Sequence, residues 1–167
     1  MLSSAEKLAR AGADFLICPD NTIHQAFDLV EHRSPRPWLH IAREIAAEAK
    51  RQGFQRLAVL GTRYLMEGPV YREALKAAAI EMRVPNAEQR ARVNQIIFDE
   101  LVNGQFLPRS LAYHIEVIRE LKEQSCDAVV LGCTEIPLLV TAEDSPLPTL
   151  DSTRLLALAA VRKAVEG

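Results

Sequence analysis

The chain has no apolar run near the roughly 20 residues that a bilayer-spanning helix needs, so no membrane span is expected. It has no excess charge of one sign. Twenty Lys and Arg stand against 22 Asp and Glu, a net charge of −2 that gives no reason to expect a polyanionic partner. The basic residues are scattered among the acids instead of collected in a stripe, which argues against nucleic-acid binding. Cysteine is sparse: Cys18, Cys126 and Cys133 form no C-x-x-C pair and have no paired histidines nearby, which disfavours a zinc site or a disulfide framework. No G-x-G-x-x-G or Walker pattern is present, so no nucleotide cofactor is indicated. No lysine segment suggests a pyridoxal Schiff base. The start, Met1-Leu-Ser-Ser-Ala-Glu-Lys, lacks the basic and apolar stretches of a signal peptide, and a cytoplasmic location is the expectation. Low-complexity tracts and solenoid-length repeats are also missing.

What remains is an ordinary globular balance, 49% apolar and 25% charged in 167 residues, enough for one domain or two small lobes. Short β-type runs alternate with longer amphipathic stretches, the pattern of an α/β fold with parallel strands. Ser3–Ala11 reads as a helix. Ala13–Cys18 is an apolar strand ending at Pro19-Asp20-Asn21-Thr22, with a helix over Ile23–Glu31. After Ser34-Pro35-Arg36-Pro37 a helical period runs from Trp38 to Arg51 and stops at Gly53. Arg56–Leu60 is a buried strand, Pro69–Ala79 a helix, and Ile80–Val84 a strand. Asn86 and Gln89 form a capping box that opens a helix through Val102. Ser110–Gln124 is helical, Ala128–Leu131 is the clearest strand, and Asp151 or Ser152 caps the last helix.

Two strands thus end in short polar clusters, Pro19-Asp20-Asn21-Thr22 and Gly132-Cys133-Thr134-Glu135. Ligands of open parallel sheets collect beyond the carboxyl ends of strands. Cys133 is the sharpest candidate. A thiol between a strand end and a following turn meets oriented backbone N–H groups that favour the thiolate, which can abstract a proton or attack an electrophile. The alternative is a small buried hydrophobe at a strand end. The polar neighbours Thr134 and Glu135 favour chemistry. Asp20 holds the equivalent place on the other strand. A carboxyl there is a proton donor or acceptor for the far face of a substrate carbon, or a turn-capping aspartate. Asn21, Thr22 and Thr134 are candidate donors to a substrate carboxylate, or helix caps. His24 either lines the same cleft or is a partly buried structural histidine. His32, His40 and His114 read as ordinary, and Cys18 and Cys126 as core.

These clusters resemble the aspartate/glutamate/hydantoin racemase superfamily, most closely its aspartate racemase branch. Gly12-Ala13-Asp14, an apolar strand and Pro19-Asp20-Asn21-Thr22-Ile23-His24 match that branch's first motif except at residue 20, where the family has cysteine. Leu131-Gly-Cys-Thr-Glu-Ile-Pro-Leu-Leu139 matches the second outright. Leu60-Gly61-Thr62, Val84-Pro85-Asn86, Asp99-Glu100-Leu101 with Gly104, and Asp151-Ser152-Thr153-Arg154 are further family-like pieces.

The resemblance implies two similar α/β lobes, parallel sheets flanked by helices, with the site between them. It also implies two groups facing opposite sides of a substrate α-carbon, no pyridoxal phosphate or metal, an amino-acid substrate, and a homodimer. Carried over, Cys133 and Asp20 are the catalytic pair, and Asn21, Thr22, Thr134, Glu135 and His24 line the substrate. Family members begin some tens of residues earlier, with a strand and a glycine-rich loop. The first lobe, residues 1–44 with 144–167, is therefore expected to be incomplete beside a second lobe at 45–143.

An acidic amino acid such as aspartate or glutamate is the expected substrate, with Arg109 a candidate partner for its distal carboxylate. A carboxyl ionises near 4 and a thiol near 8.5, so Asp20 is the weaker base and one-sided activity is expected. A non-enzymatic binding remnant and a single-cysteine decarboxylase or isomerase are the alternatives.

Overall fold

A computed structural model describes residues 1–166. The chain opens with α1 (Leu2–Arg10), β1 (Leu16–Ile17), a 3-10 turn over Thr22–Ala26, α2 (Asp28–Glu31) and β2 (Trp38–Leu39). Next come α3 (Ile41–Gln52), β3 (Arg56–Leu60), α4 (Arg63–Glu67), α5 (Pro69–Ala77), β4 (Glu81–Arg83) and α6 (Ala87–Asp99). After a 3-10 turn at Leu101–Asn103 follow α7 (Pro108–Glu123), β5 (Ala128–Leu131), α8 (Ile136–Leu139), β6 (Thr149–Asp151) and α9 (Ser152–Glu166).

The fold is α/β with two parallel sheets flanked by helices. The larger has the order β4-β3-β5-β6, and β1 pairs with β2 in a separate two-stranded sheet. Every residue of β5 is buried, as is all of β3 after Arg56, which is why both read as unbroken apolar runs. Successive side chains point to opposite faces, so each strand feeds two cores. Ala58, Leu60, Val129 and Leu131 pack with Val93, Ile96 and Ile97 of α6 and Val117, Ile118 and Leu121 of α7. Leu57, Val59, Ala128 and Val130 pack with Ile45 and Ala49 of α3 and Leu75 of α5. Burying each large side chain contributes roughly 1.5–3 kcal/mol, so this double-faced packing fixes the positions of the strand ends. Asp127 adds a tether: its carboxylate accepts from the backbone N–H groups of Gln55 at 2.6 Å and Arg56 at 2.7 Å.

Punctuation residues act largely as expected. Gly53 ends α3 with φ of 78°, a conformation that costs a glycine little. The Asn86–Gln89 capping box is present in both directions. Asp151, not Ser152, caps α9, its Oδ1 accepting from Arg154 N at 3.0 Å.

Three elements differ. Trp38 and Leu39 are a strand instead of the first turn of α3. Leu16 N donates to Pro37 O at 2.9 Å, and Trp38 pairs with Leu16. The helix begins later because His40 caps it, its Nδ1 accepting from Ala42 N and Arg43 N at 3.2 and 3.4 Å. The stretch after Thr22 is 3-10 and only briefly α-helical. Strand β6 follows Pro148, whose carbonyl accepts from Val129 N at 2.9 Å, so the larger sheet extends past residue 143, the expected end of the second lobe.

Candidate active site

The carboxyl ends of β1, β3 and β5 carry the polar clusters. Adjacent strands β3 and β5 end in glycines, and their backbones approach closely there. A Cβ on Gly132 would lie 2.5 Å from Leu65 Cδ2 and 2.9 Å from the Leu60 carbonyl oxygen, so only glycine lets Gly132 N donate to Leu60 O at 2.7 Å. Cys133 follows directly.

Its side chain is buried, 9% exposed, and its thiol donates to Glu135 Oε2 at 2.8 Å. Burial, reinforced by the Glu135 carboxylate, pushes the thiol's pKa up to about 12. The backbone N–H groups of Glu135 and Ile136 act in the opposite direction, as the strand-end position implies, but they are outweighed. The expectation that these N–H groups would leave a resting thiolate is therefore corrected. Burial and the adjacent carboxylate favour the protonated thiol. For Glu135, burial works to raise the pKa, yet hydrogen bonds from Cys133, Thr134 and its own backbone hold it below the usual carboxylate value. Thr134 is exposed beside them.

The other cluster is tied to this one through buried hydrogen bonds. Asn21 Nδ2 donates to Ser152 Oγ at 3.0 Å, and Ser152 Oγ donates to the carbonyl of Leu131 at 3.0 Å, two residues before Cys133. Tyr71, from α5, donates to Asn21 Oδ1 at 2.6 Å. Thr22 Oγ1 lies 3.4 Å from Thr62 Oγ1 at the end of β3. The turn after β1 is thus linked to the ends of both central strands. Asp20, exposed at its start, accepts from Ile23 N at 2.8 Å through Oδ1, the turn-capping bond of an aspartate, while a carboxylate keeps a second oxygen free.

The Asp/Glu/hydantoin racemase family matches residues 1–160. The chain belongs to this family. It is 27% identical over 161 residues to the broad specificity amino-acid racemase RacX of Bacillus subtilis (strain 168), across 96% of this chain and 69% of that protein. The crystal structure of a candidate Asp/Glu racemase from Yersinia pestis superposes with a TM-score of 0.92 at 38% identity, covering 98% of this chain and 71% of that one. PH1733, an aspartate racemase homologue from Pyrococcus horikoshii OT3, gives 0.89 at 28% identity, with 98% and 72% covered.

The remaining expected site residues fall elsewhere. His24 is buried. Its Nδ1 bonds the Asp20 carbonyl at 2.8 Å and its Nε2 accepts from Ile41 N at 3.5 Å. With both nitrogens engaged, it offers a substrate no free polar atom and instead holds the Asp20 turn. Burial lowers its pKa against the pull of Asp20, with Arg43 adding to the lowering. Its ring stacks on Phe27 and meets the edge of His40, and these line a cavity of about 370 Å³ with Arg43, Val70 and Glu73. Arg109 pairs with Glu100 at 3.4 Å at the start of α7. Cys126 sits in the core as expected, with burial pushing its thiol up to about 11, while Cys18 is only half-buried. Among the described residues no group of three or more His, Cys, Asp or Glu is arranged to hold a metal, and no helix is long and apolar enough to cross a membrane.

Thr62, Tyr71 and Ser152 escaped the sequence reading as site residues. The signals for Thr62 are a hydroxyl flanking a strand-end glycine and its place in the family-like Leu60-Gly61-Thr62. Tyr71 looked like any aromatic on a helix, and Ser152 like a cap.

Proposed function

We propose that the chain racemises or epimerises an amino acid, preferentially an acidic one such as aspartate or glutamate, without pyridoxal phosphate. Cys133 and Asp20 act on opposite faces of the α-carbon. The observation that carries this reading is the bond sequence from Asn21 through Ser152 to the Leu131 carbonyl. It joins the turn bearing Asp20 to the strand bearing Cys133.

In one direction the Cys133 sulfur takes the α-proton while its own proton passes to the Glu135 carboxylate. The electron pair left on carbon delocalises into the substrate carboxylate, held by Thr22, Thr134 and the remaining N–H of Asn21. The Asp20 carboxyl then delivers a proton to the opposite face. Solvent restores both carboxyl groups. The reverse direction starts with the α-proton moving to Asp20 and ends with the Cys133 thiol supplying one, replenished from Glu135. General acid–base assistance of this kind contributes roughly 10²–10⁴-fold. A homodimer in a reducing cytoplasm fits the reading, since free thiols persist there.

The test is wash-in of solvent deuterium at the α-carbon of each enantiomer of aspartate and glutamate, followed by proton NMR. Exchange is expected with the native chain and is lost in Cys133→Ala. A folded protein that exchanges no amino acid overturns the proposal. The lone thiol at the strand end also favours a second reading, decarboxylation of a malonate-type acid, in which one proton is delivered and none abstracted. Carbon dioxide release without α-proton exchange would select it.

A further inference from the structure

Resting on the two-base reading above, we propose that Tyr71 and Ser152 are positioning residues that fix the orientation of the Asn21 amide toward the substrate carboxylate, without bonding the Cys133–Glu135 pair. The polarity of the bonds dictates this. A carbonyl oxygen only accepts, so Ser152 must spend its single hydroxyl proton on Leu131 O, 3.0 Å away. Ser152 Oγ must then accept from Asn21, which turns the Asn21 amide nitrogen toward Ser152 at 3.0 Å. Oδ1 is thereby turned toward Tyr71, whose phenol can only donate to it, at 2.6 Å. One backbone carbonyl at the end of β5 therefore fixes the orientation of an amide 110 residues earlier in the chain (131 less 21). The second N–H of Asn21 lies outside these bonds and is the one assigned above to the substrate carboxylate.

Tyr71 and Ser152 are 0% exposed and Asn21 is 5% exposed, so water does not compete for these bonds. Burial also holds the Tyr71 phenol well above its ordinary pKa, so it stays a donor at any working pH. Neither hydroxyl bonds Cys133 or Glu135, whose own bond is closed between themselves. The network ends on the turn that starts at Asp20. His24 grips the same turn through the Asp20 carbonyl at 2.8 Å, beside the Asn21 amide and the Thr22–Thr62 contact.

The consequence falls on the substrate carboxylate, which both directions of the reaction share. Removing the Tyr71 hydroxyl frees the Asn21 amide to turn and leaves the sulfur with its own partner. Tyr71→Phe and Ser152→Ala are compared with the native chain by deuterium wash-in from each enantiomer separately. Both enantiomers are expected to exchange about tenfold more slowly in either variant, and Tyr71→Phe/Ser152→Ala to be no worse than the slower single variant, since both act through Asn21. Two merely structural side chains would instead add their losses. Alkylation of Cys133 by iodoacetamide, in a background with Cys18 and Cys126 replaced by serine, should keep its native rate in Tyr71→Phe. If Tyr71→Phe does not fold, Ser152→Ala is paired with Asn21→Ala, and the double variant should be no worse than Asn21→Ala. Additive losses, or no change in either variant, overturn this inference and leave the racemase reading standing. Absence of exchange in the native chain overturns both.

Discussion

Replacing Glu135 by glutamine separates two properties of Cys133 that usually rise and fall together. The Glu135 carboxylate oxygen lies 2.8 Å from the sulfur. Two unit charges about 3 Å apart repel by roughly 1.5 kcal/mol even in the dielectric of water, and by several kcal/mol at the effective dielectric of a protein surface. One pKa unit corresponds to about 1.4 kcal/mol, so the glutamine variant should lower the thiol's pKa from about 12 by at least about one unit. Alkylation by iodoacetamide, followed against pH with the other cysteines replaced, is then expected to be about tenfold faster at pH 8. Proton exchange should move the opposite way. Glutamine cannot take the thiol proton, so α-deuterium wash-in by the Cys133 face is expected to fall about 10²-fold. An unchanged alkylation profile would mean that Glu135 does not govern the sulfur. Exchange that speeds up in step with alkylation would show that thiolate population limits the reaction and that no relay to Glu135 exists.

Two further perturbations probe the frame. Gly132→Ala places a methyl 2.9 Å from the Leu60 carbonyl oxygen, a backbone atom that yields only if β3 and β5 part. A loss of about 1–3 kcal/mol in urea unfolding is expected, with exchange reduced tenfold or more by displacement of Cys133; native stability in this variant would refute the close approach. His40 has its pKa lowered from 6.5 to about 4, chiefly by burial and then by His24 and Arg43, against its own backbone and Glu31. The unfolded chain therefore binds this proton more readily. Stability is whole above pH 6.5 and declines as pH falls toward 4, by about 2 kcal/mol once solvent in the adjoining cavity is allowed for. His40→Asn keeps a side chain able to cap α3 but cannot titrate, so its urea midpoint should fall less between pH 7 and 4.5 than that of the native chain. An identical acid slope would place the proton elsewhere.

The parts of this molecule legible in its sequence are those specified by neighbours along the chain. Strands β3 and β5 announce themselves because both faces are buried, and the Asn86 capping box because its partners are three residues apart. The short strands at Trp38–Leu39 and Thr149–Asp151 have no room for a period, and the ladder that defines them comes from residues far away. The same holds in the site. Cys133 and Asp20 stand in recognisable motifs, whereas the bonds that join their turns run through Ser152 and span 131 and 21 residues. His40 looked ordinary because its role as a cap requires Trp38 and Leu39 to be strand, which only the pairing with β1 dictates. The sulfur's ionisation was misread for a related reason. Backbone N–H groups are local and visible in the pattern, while the desolvation that defeats them is tertiary.

That misreading bears on what the base is. A thiol that ionises only at about 12 is almost wholly protonated near neutral pH, so sulfur alone would be a strong base that is seldom available. The Glu135 carboxylate, held below its usual pKa, is available but too weak to take an α-proton unaided. Coupled by one 2.8 Å bond, the two make good each other's deficit. In the proposed mechanism the proton they share belongs to the pair and not to either residue, and the substrate carbon would meet the sulfur as that proton shifts to oxygen. Asp20 has no such partner. Its Oδ1 is bonded to Ile23 N, and the residue is exposed. On the proposed mechanism the two faces are chemically unequal, a relayed thiol against a single carboxyl, and the α-protons of the two enantiomers should exchange with solvent at unequal rates for that reason alone.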